Sequence, residues 1–189
     1  LMTPPSQTSW TIGETIRQMR TDKDMSLGRL AETAKVSKSN LSKIENNVIS
    51  PTFDMIGKIA KGLGVSTAAL LSRDAPGQDV LSFTNRDEGV RSVNDNYEFE
   101  FLFSDLSNRK MMPMVTTVRS NMTKVLTAPS SHEGEEFFTV LEGSVEFQSG
   151  TEIRRIMCVG DSVYFNSQTK HLVVNSGDVD ARLLWVWLA

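Results

Sequence analysis

The sequence predicts a two-domain α+β chain: an all-α module of five helices, followed by an antiparallel β-barrel or jelly roll. Three observations predict it. Up to residue 72, apolar residues recur at three- and four-residue spacing, the period of one helix face. From residue 95 onward the period becomes two, and turn pairs punctuate the runs. Between the two, Arg73-Asp74-Ala75-Pro76-Gly77-Gln78-Asp79 is charged, holds a Pro-Gly pair and has no period, as a linker does. The boundaries drawn from these shifts are 11–72 for the helical domain, 73–94 for the linker and a lead-in strand, and 95–189 for the sheet domain.

Each helix has its own signature. Trp10 to Thr21 carries Ile12, Ile16 and Met19 at helical spacing. Ser26, a capping type, precedes a stripe of Leu27, Leu30, Ala31 and Ala34. After a break at Lys35-Val36-Ser37, Ser37 caps a further run in which Val36, Leu41 and Ile44 face inward. The outward positions of that run are Lys38, Ser39, Asn40, Ser42 and Lys43, with no acid before Glu45. Small, hydrogen-bonding and cationic groups without carboxylates are what base edges and phosphates accept. The pair therefore reads as a helix-turn-helix whose second helix enters a DNA groove. Pro51 suits the first turn of a fourth helix, with Met55, Ile56, Ile59, Ala60 and Leu63 as its apolar side and Gly62 and Gly64 at its end. Ser66 caps a short fifth helix running to Leu71.

Residues 11–72 resemble the lambda-repressor-like (XRE-type) DNA-binding domain. The resemblance rests on Leu30-Ala31, Val36-Ser37, the frame from Ser42 to Glu45, Ser50-Pro51, and the series Ile56, Ile59, Ala60, Leu63, Gly64 and Val65. It implies that Ser26, Leu27, Ser37, Lys38, Ser39, Asn40, Ser42, Lys43 and Asn46 meet double-stranded DNA. It also implies that Arg20 ion-pairs with Glu45, joining the first helix to the reader. Two positions depart from the pattern. Leu27 stands where many members have a glutamine, which implies weaker or different phosphate clamping. Lys35 stands where a turn glycine is usual, so a lysine is expected at positive φ.

The chain of 189 residues has a formal net charge of -3, an odd sign for a nucleic-acid binder until the charge is divided. Residues 1–74 hold 10 Lys/Arg and 7 Asp/Glu, or +3, whereas residues 75–189 hold 10 and 16, or -6. Only the helical domain has the electrostatic sign for phosphate. The lone Cys158 excludes an internal disulfide framework. With no apolar run of membrane-spanning length and no secretory leader, a cytoplasmic protein with no membrane partner is expected.

In the sheet domain the alternating runs are Glu98 to Phe101, Val145 to Phe147, Val163 to Phe165 and Leu183 to Leu188, separated by turns such as Glu142-Gly143 and Gly160-Asp161. The last run is apolar on both faces, so it is expected either centrally in a sheet or at a subunit contact. Met111, Met112, Met114 and Met122 are expected as adaptable core or pocket lining. Ser130, His132 and Glu136 share one parity, allowing for a disturbance at Gly134, and His171 sits in a later segment. Two imidazoles and a carboxylate with open positions suit Fe(II), Mn(II), Ni(II) or Zn(II).

SSHEGEEFFTVLEG at Ser130 to Gly143 and GDSVYFNSQTKHLVVN at Gly160 to Asn175 resemble the two cupin motifs. That resemblance implies His132, Glu136 and His171 as ligands of a divalent metal, with Ser130 at the position of a missing histidine; Glu133 and Glu135 are expected to face solvent. The order of the two modules resembles the XRE-cupin regulators over nearly the full length. It implies a sequence-specific transcriptional regulator whose cupin senses a small-molecule effector, and a homodimer presenting two readers. The alternative is a mononuclear non-haem iron cupin enzyme resembling hydroxypropylphosphonate epoxidase. Phe99, Glu100 and Leu102 stand where that enzyme carries tyrosines, however, and Lys38 and Lys43 make this reader more cationic.

Overall fold

The computed structural model describes residues 11–72, 81–106, 109–121 and 129–188. Trp10, the expected linker at 73–79 and Met122 lie outside them. The helical domain comprises α1 (Ile12–Asp22), α2 (Leu27–Thr33), α3 (Lys38–Glu45), α4 (Phe53–Leu63) and α5 (Thr67–Leu70). Each start is fixed by a hydroxyl that accepts a backbone N–H: Thr11, Ser26, Ser37, Thr52 and Ser66 cap the five helices in order. At α1 the cap is reciprocal, because Glu14 reaches back to Thr11. The fourth helix starts later than the sequence suggests. Pro51 lies ahead of it, since Thr52 is the residue whose side chain satisfies the Met55 N–H. Gly62 falls inside α4, and Gly64, at φ 67°, closes it.

The stripes converge as expected, with Ile16, Leu30, Leu41, Ile44 and Ile59 fully buried. Gly13 is required where α1 crosses the end of α3, because a Cβ there would stand 2.1 Å from the Ile44 carbonyl oxygen. Lys35 adopts φ 53° in the turn before α3, as its position implied. Arg20 meets Glu45 with two parallel bonds of 2.7 and 2.8 Å and donates a third to the Met25 carbonyl at 2.8 Å. This fork ties α1 to α3 where Glu45 is buried.

Among the described residues the sheet domain has nine antiparallel strands: β1 (Val90–Val93), β2 (Tyr97–Phe101), β3 (Met111–Val118), β4 (Glu135–Glu142), β5 (Ser144–Ser149), β6 (Ile153–Cys158), β7 (Ser162–Asn166), β8 (His171–Asn175) and β9 (Ala181–Leu188). They form a six-stranded sheet, β1-β2-β3-β9-β4-β7, and a three-stranded sheet, β6-β5-β8. The expected barrel is not closed among the described residues. β7 pairs with β4 and β8 with β5, so the turn at 167–170 carries the chain from one sheet to the other without joining their edges. The sheets instead pack face to face, with Phe138 of the larger edge-on to Phe147 of the smaller at 5.8 Å. Asn175 stitches them together by donating to the Val118 carbonyl at 2.9 Å. β6 is an outer edge, with Ile153 and Ile156 exposed on either side of Arg154 and Arg155.

β9 is central, between β3 and β4, which explains its two apolar faces. Trp185 and Trp187 point into the core, while Leu184, Val186 and Leu188 lie on the outer face. Of the methionines, Met112 and Met114 are core and Met111 is exposed.

The two domains share their packing through α4. Phe53 stands edge-on to Phe99 at 4.7 Å, to Trp187 at 5.7 Å and to Phe101 at 6.0 Å. Ser50 Oγ donates to the Val93 carbonyl at 2.6 Å, and an Arg109 N–H reaches the Leu71 carbonyl at 3.5 Å. No described helix is long and apolar enough to cross a membrane.

Removing the guanidinium of the Arg20–Glu45 pair would leave a buried carboxylate without its partner. Arg20→Ala should therefore lower the stability of the protein to urea by about 3 kcal/mol, a loss that Arg20→Lys only partly restores because lysine cannot make the fork.

Candidate metal centre and nucleic-acid interface

His132, Glu136 and His171 come together from three places in the chain. Glu136 is the second residue of β4 and His171 the first of β8, in the opposite sheet. His132 lies on the approach to β4, where Gly134, at φ 107°, breaks the extended run and lets His132 turn back over the strand. Backbone bonds hold this approach in place: Ser130 and His171 exchange N–H···O bonds of 2.8 and 2.9 Å, and His132 N–H donates to the Ser167 carbonyl at 3.0 Å.

The ligand atoms of the three side chains all lie within 4.8 Å of one another. Glu136 Oε2 is 3.1 Å from His171 Nε2, and Oε1 is 3.6 Å from His132 Nε2. Each imidazole has its other nitrogen on a backbone carbonyl, His132 Nδ1 on Glu133 at 3.2 Å and His171 Nδ1 on Thr169 at 2.9 Å. A carbonyl only accepts, so Nδ1 carries the proton and Nε2 presents its lone pair to the carboxylate. Burial lowers both histidines below their ordinary value, which favours the neutral rings.

Lone pairs therefore face lone pairs in a buried site. His132 Nε2 and Glu136 Oε2 have no hydrogen-bond partner. Burial pushes the Glu136 carboxyl up to about 7, against the opposing pull of Ser167 and the Trp185 indole, which approach it without strict hydrogen-bond geometry. A proton or a divalent cation resolves the conflict, and two oriented imidazoles with one carboxylate are the donor set such a cation takes. The residues fit a metal. No fourth His, Cys, Asp or Glu joins the group among the described residues. Ser130, the position of the missing histidine, lines the cavity beside it. Glu133 and Glu135 are exposed, as expected, and Glu133 pairs with Lys61 of α4 at 3.6 Å.

The trio opens into a cavity of about 570 Å³. Sequence reasoning missed its other wall. Thr52, Phe53, Asp54 and Lys58 of the helical domain line it, opposite Tyr97, Phe99 and Trp185 of the sheets. A signal was present: Phe53, Gly57 and Lys61 recur every four residues along a face of α4 that adjoins the stripe of Ile56, Ile59, Ala60 and Leu63.

The candidate DNA-reading residues lie on α2 and α3 and at their caps. Lys38, Ser39, Lys43 and Asn46 are exposed, and Asn40 and Ser42 half-buried. Ser26 and Ser37 cap α2 and α3, and Asn46 bonds back to the Ser42 carbonyl at 2.7 Å. Leu27 packs against the core. It cannot replace the hydrogen bonds of a glutamine.

Residues 16–70 match the helix-turn-helix family model, and residues 124–187 match the cupin domain model. A relative, HTH-type transcriptional regulator SutR of Escherichia coli (strain K12), is 27% identical over 167 residues, which is 88% of each chain. Among solved structures, an HTH_3 family transcriptional regulator from Vibrio cholerae shares 23% identity and covers 94% of each chain, with a TM-score of 0.62. The hydroxypropylphosphonic acid epoxidase from S. wedmorenis shares 24% identity, covering 97% of this chain and 100% of that one, with a TM-score of 0.52. At these identities both structures bear on the fold alone.

The raised Glu136 value makes a pH prediction. A carboxyl whose folded value lies above the ordinary 4.5 favours the fold when protonated, and that contribution is lost as pH rises through about 7. Metal-free Glu136→Gln should match the wild type in chemical denaturation at pH 4 and exceed it at pH 8 by about 3 kcal/mol.

Proposed function

We infer that this chain, an XRE-type helix-turn-helix domain joined to a cupin domain, is a transcription regulator that binds double-stranded DNA through α3 and senses a small molecule in its cupin half. The observation that carries this reading is the exposed edge of α3. Lys38 and Lys43 stand free of the helical core with Ser39 and Asn46 beside them, and the described contacts between the domains run through Ser50, α4 and Leu71 instead. The acidic sheet domain, with its net charge of opposite sign, leaves that edge to the phosphates.

In the cupin half, His132, Glu136 and His171 would hold a divalent metal from the Zn, Fe, Ni or Mn group and leave its remaining positions to an effector. Bound there, the metal supplies a Lewis-acidic anchor for a chelating group. The chain supplies the rest. The Glu133 and Thr169 carbonyls hold the imidazoles in register, and Phe53, Phe99 and Trp185 give the cavity an apolar wall. The oxidative-enzyme reading has less support. Phe99 offers a ring to the cavity where a phenol would be wanted, and Tyr97 spends its hydroxyl on the Val173 carbonyl at 2.6 Å.

A two-fold pair completes the reading. Leu184, Val186 and Leu188 on the outer face of β9 adjoin Met111 and Pro113 of β3 and Phe137 of β4, an apolar patch suited to a second copy. Two readers would then meet half-sites about 34 Å apart or a multiple of that.

The pair Lys38→Ala and Lys43→Ala should remove sequence-specific shifts in a DNA-binding assay and flatten the salt dependence, each lost base contact costing about 1–3 kcal/mol. Binding that is equally weak on all sequences and insensitive to both changes overturns the DNA reading. Elemental analysis of protein purified without a metal-affinity step should find one divalent ion per chain, lost in His132→Ala; metal retained in that variant overturns the trio.

A further inference from the structure

We propose that Trp187 is a positioning residue that links the candidate metal centre to the DNA-binding domain, so that metal binding and the docking of α4 are coupled. This rests on the metal reading of His132, Glu136 and His171 given above.

The link is a series of direct contacts. The His132 ring lies 4.7 Å from the Trp187 ring, centroid to centroid. The Trp187 indole N–H donates to the Glu133 carbonyl at 3.1 Å, and the same carbonyl accepts from His132 Nδ1 at 3.2 Å. Trp187 thus orders both the plane of the imidazole and the oxygen that fixes its tautomer. On its other side the indole meets α4. Phe53 stands edge-on to it at 5.7 Å, and a Cβ added at Gly57 would lie 3.8 Å from the far corner of the ring, Cη2. Trp187 is itself buried, at 2% exposure, so a displacement on either side is passed on rather than absorbed by solvent.

From α4 the path enters the DNA-binding unit. Ile56, Ile59, Ala60 and Leu63, on the adjoining face of the same helix, are buried in the helical core. Thr33, at the end of α2, donates to the Gly62 carbonyl at 3.4 Å. A cation that draws His132 and Glu136 together acts on the indole, and the indole acts on the helix that frames α2. Linkage requires the reverse as well: a change made on α4 must alter metal affinity.

Gly57 permits that test from the DNA-binding domain, with no atom of the metal centre altered. Alanine there fits at ordinary contact distance, whereas leucine drives the indole aside; both favour the helix over glycine, so neither should unfold α4. Co²⁺, titrated by its visible absorption into the full chain, is the probe. Gly57→Ala should bind as the wild type does, and Gly57→Leu about tenfold more weakly with an altered spectrum, the size of effect that displaced outer partners of a metal ligand produce. Hydrogen exchange of residues 53–63 should slow when Zn²⁺ is added to the wild type. If Co²⁺ binds both variants equally and Zn²⁺ leaves α4 exchange unchanged, the coupling is overturned while the metal reading stands. If the wild type binds no Co²⁺, the metal reading fails and the coupling with it.

Discussion

The architecture depends on one helix being buried on two sides. The residues of α4 at 56, 59, 60 and 63 close the helical core, and those at 53 and 57 meet the aromatic cluster of the sheets. A helix whose apolar surface covers one stripe can serve one domain; α4 adds a second stripe with a single large ring and a position without a side chain. That combination is economical. Phe53 fills the angle between Phe99, Phe101 and Trp187, and Gly57 lets the tryptophan come against the backbone. The buried apolar residues consequently form one cluster from Ile12 to Trp187. The domains are not beads on a string.

The candidate metal centre illustrates a different constraint, that of burying lone pairs without partners. A carboxylate and two neutral imidazoles would each find hydrogen bonds more cheaply in water. Here, strand geometry and backbone carbonyls hold them together with lone pairs converging, and the penalty appears as orphaned atoms and a raised carboxyl. Such strain is typical of sites arranged for a ligand rather than for stability. It also explains why Glu136 sits in β4, where the sheet fixes its direction, while His132 sits on the approach to that strand, tied by its backbone to Ser167.

Much of this was legible in the sequence, for identifiable reasons. Helix starts are local, so Ser26, Ser37 and Ser66 announced themselves; Thr52 was obscured by Pro51, whose own preference for first turns pointed two positions too early. The positive φ at Lys35 and the pairing of Arg20 with Glu45 followed from the XRE resemblance. His132, Glu136 and His171 were legible because they include the only two histidines in the chain, in motifs with recognisable frames. Whether the strands close into a barrel was not, because period two tells which face a residue takes but not which strand lies beside it. Nor was the wall that Thr52, Phe53, Asp54 and Lys58 add to the cavity: the spacing of Phe53 and Gly57 marks a second face of α4 but does not say which surface covers it.

Among the described residues, the open sandwich leaves strand edges whose N–H and C=O groups have no partner strand, and β6 is one of them. Its Ile153 and Ile156 would favour stacking, yet Arg154 and Arg155 lie between them. An antiparallel copy approaching that edge would bring four guanidinium groups together at the centre of the new ladder. Lateral growth into fibres is thereby penalised on this margin by charge.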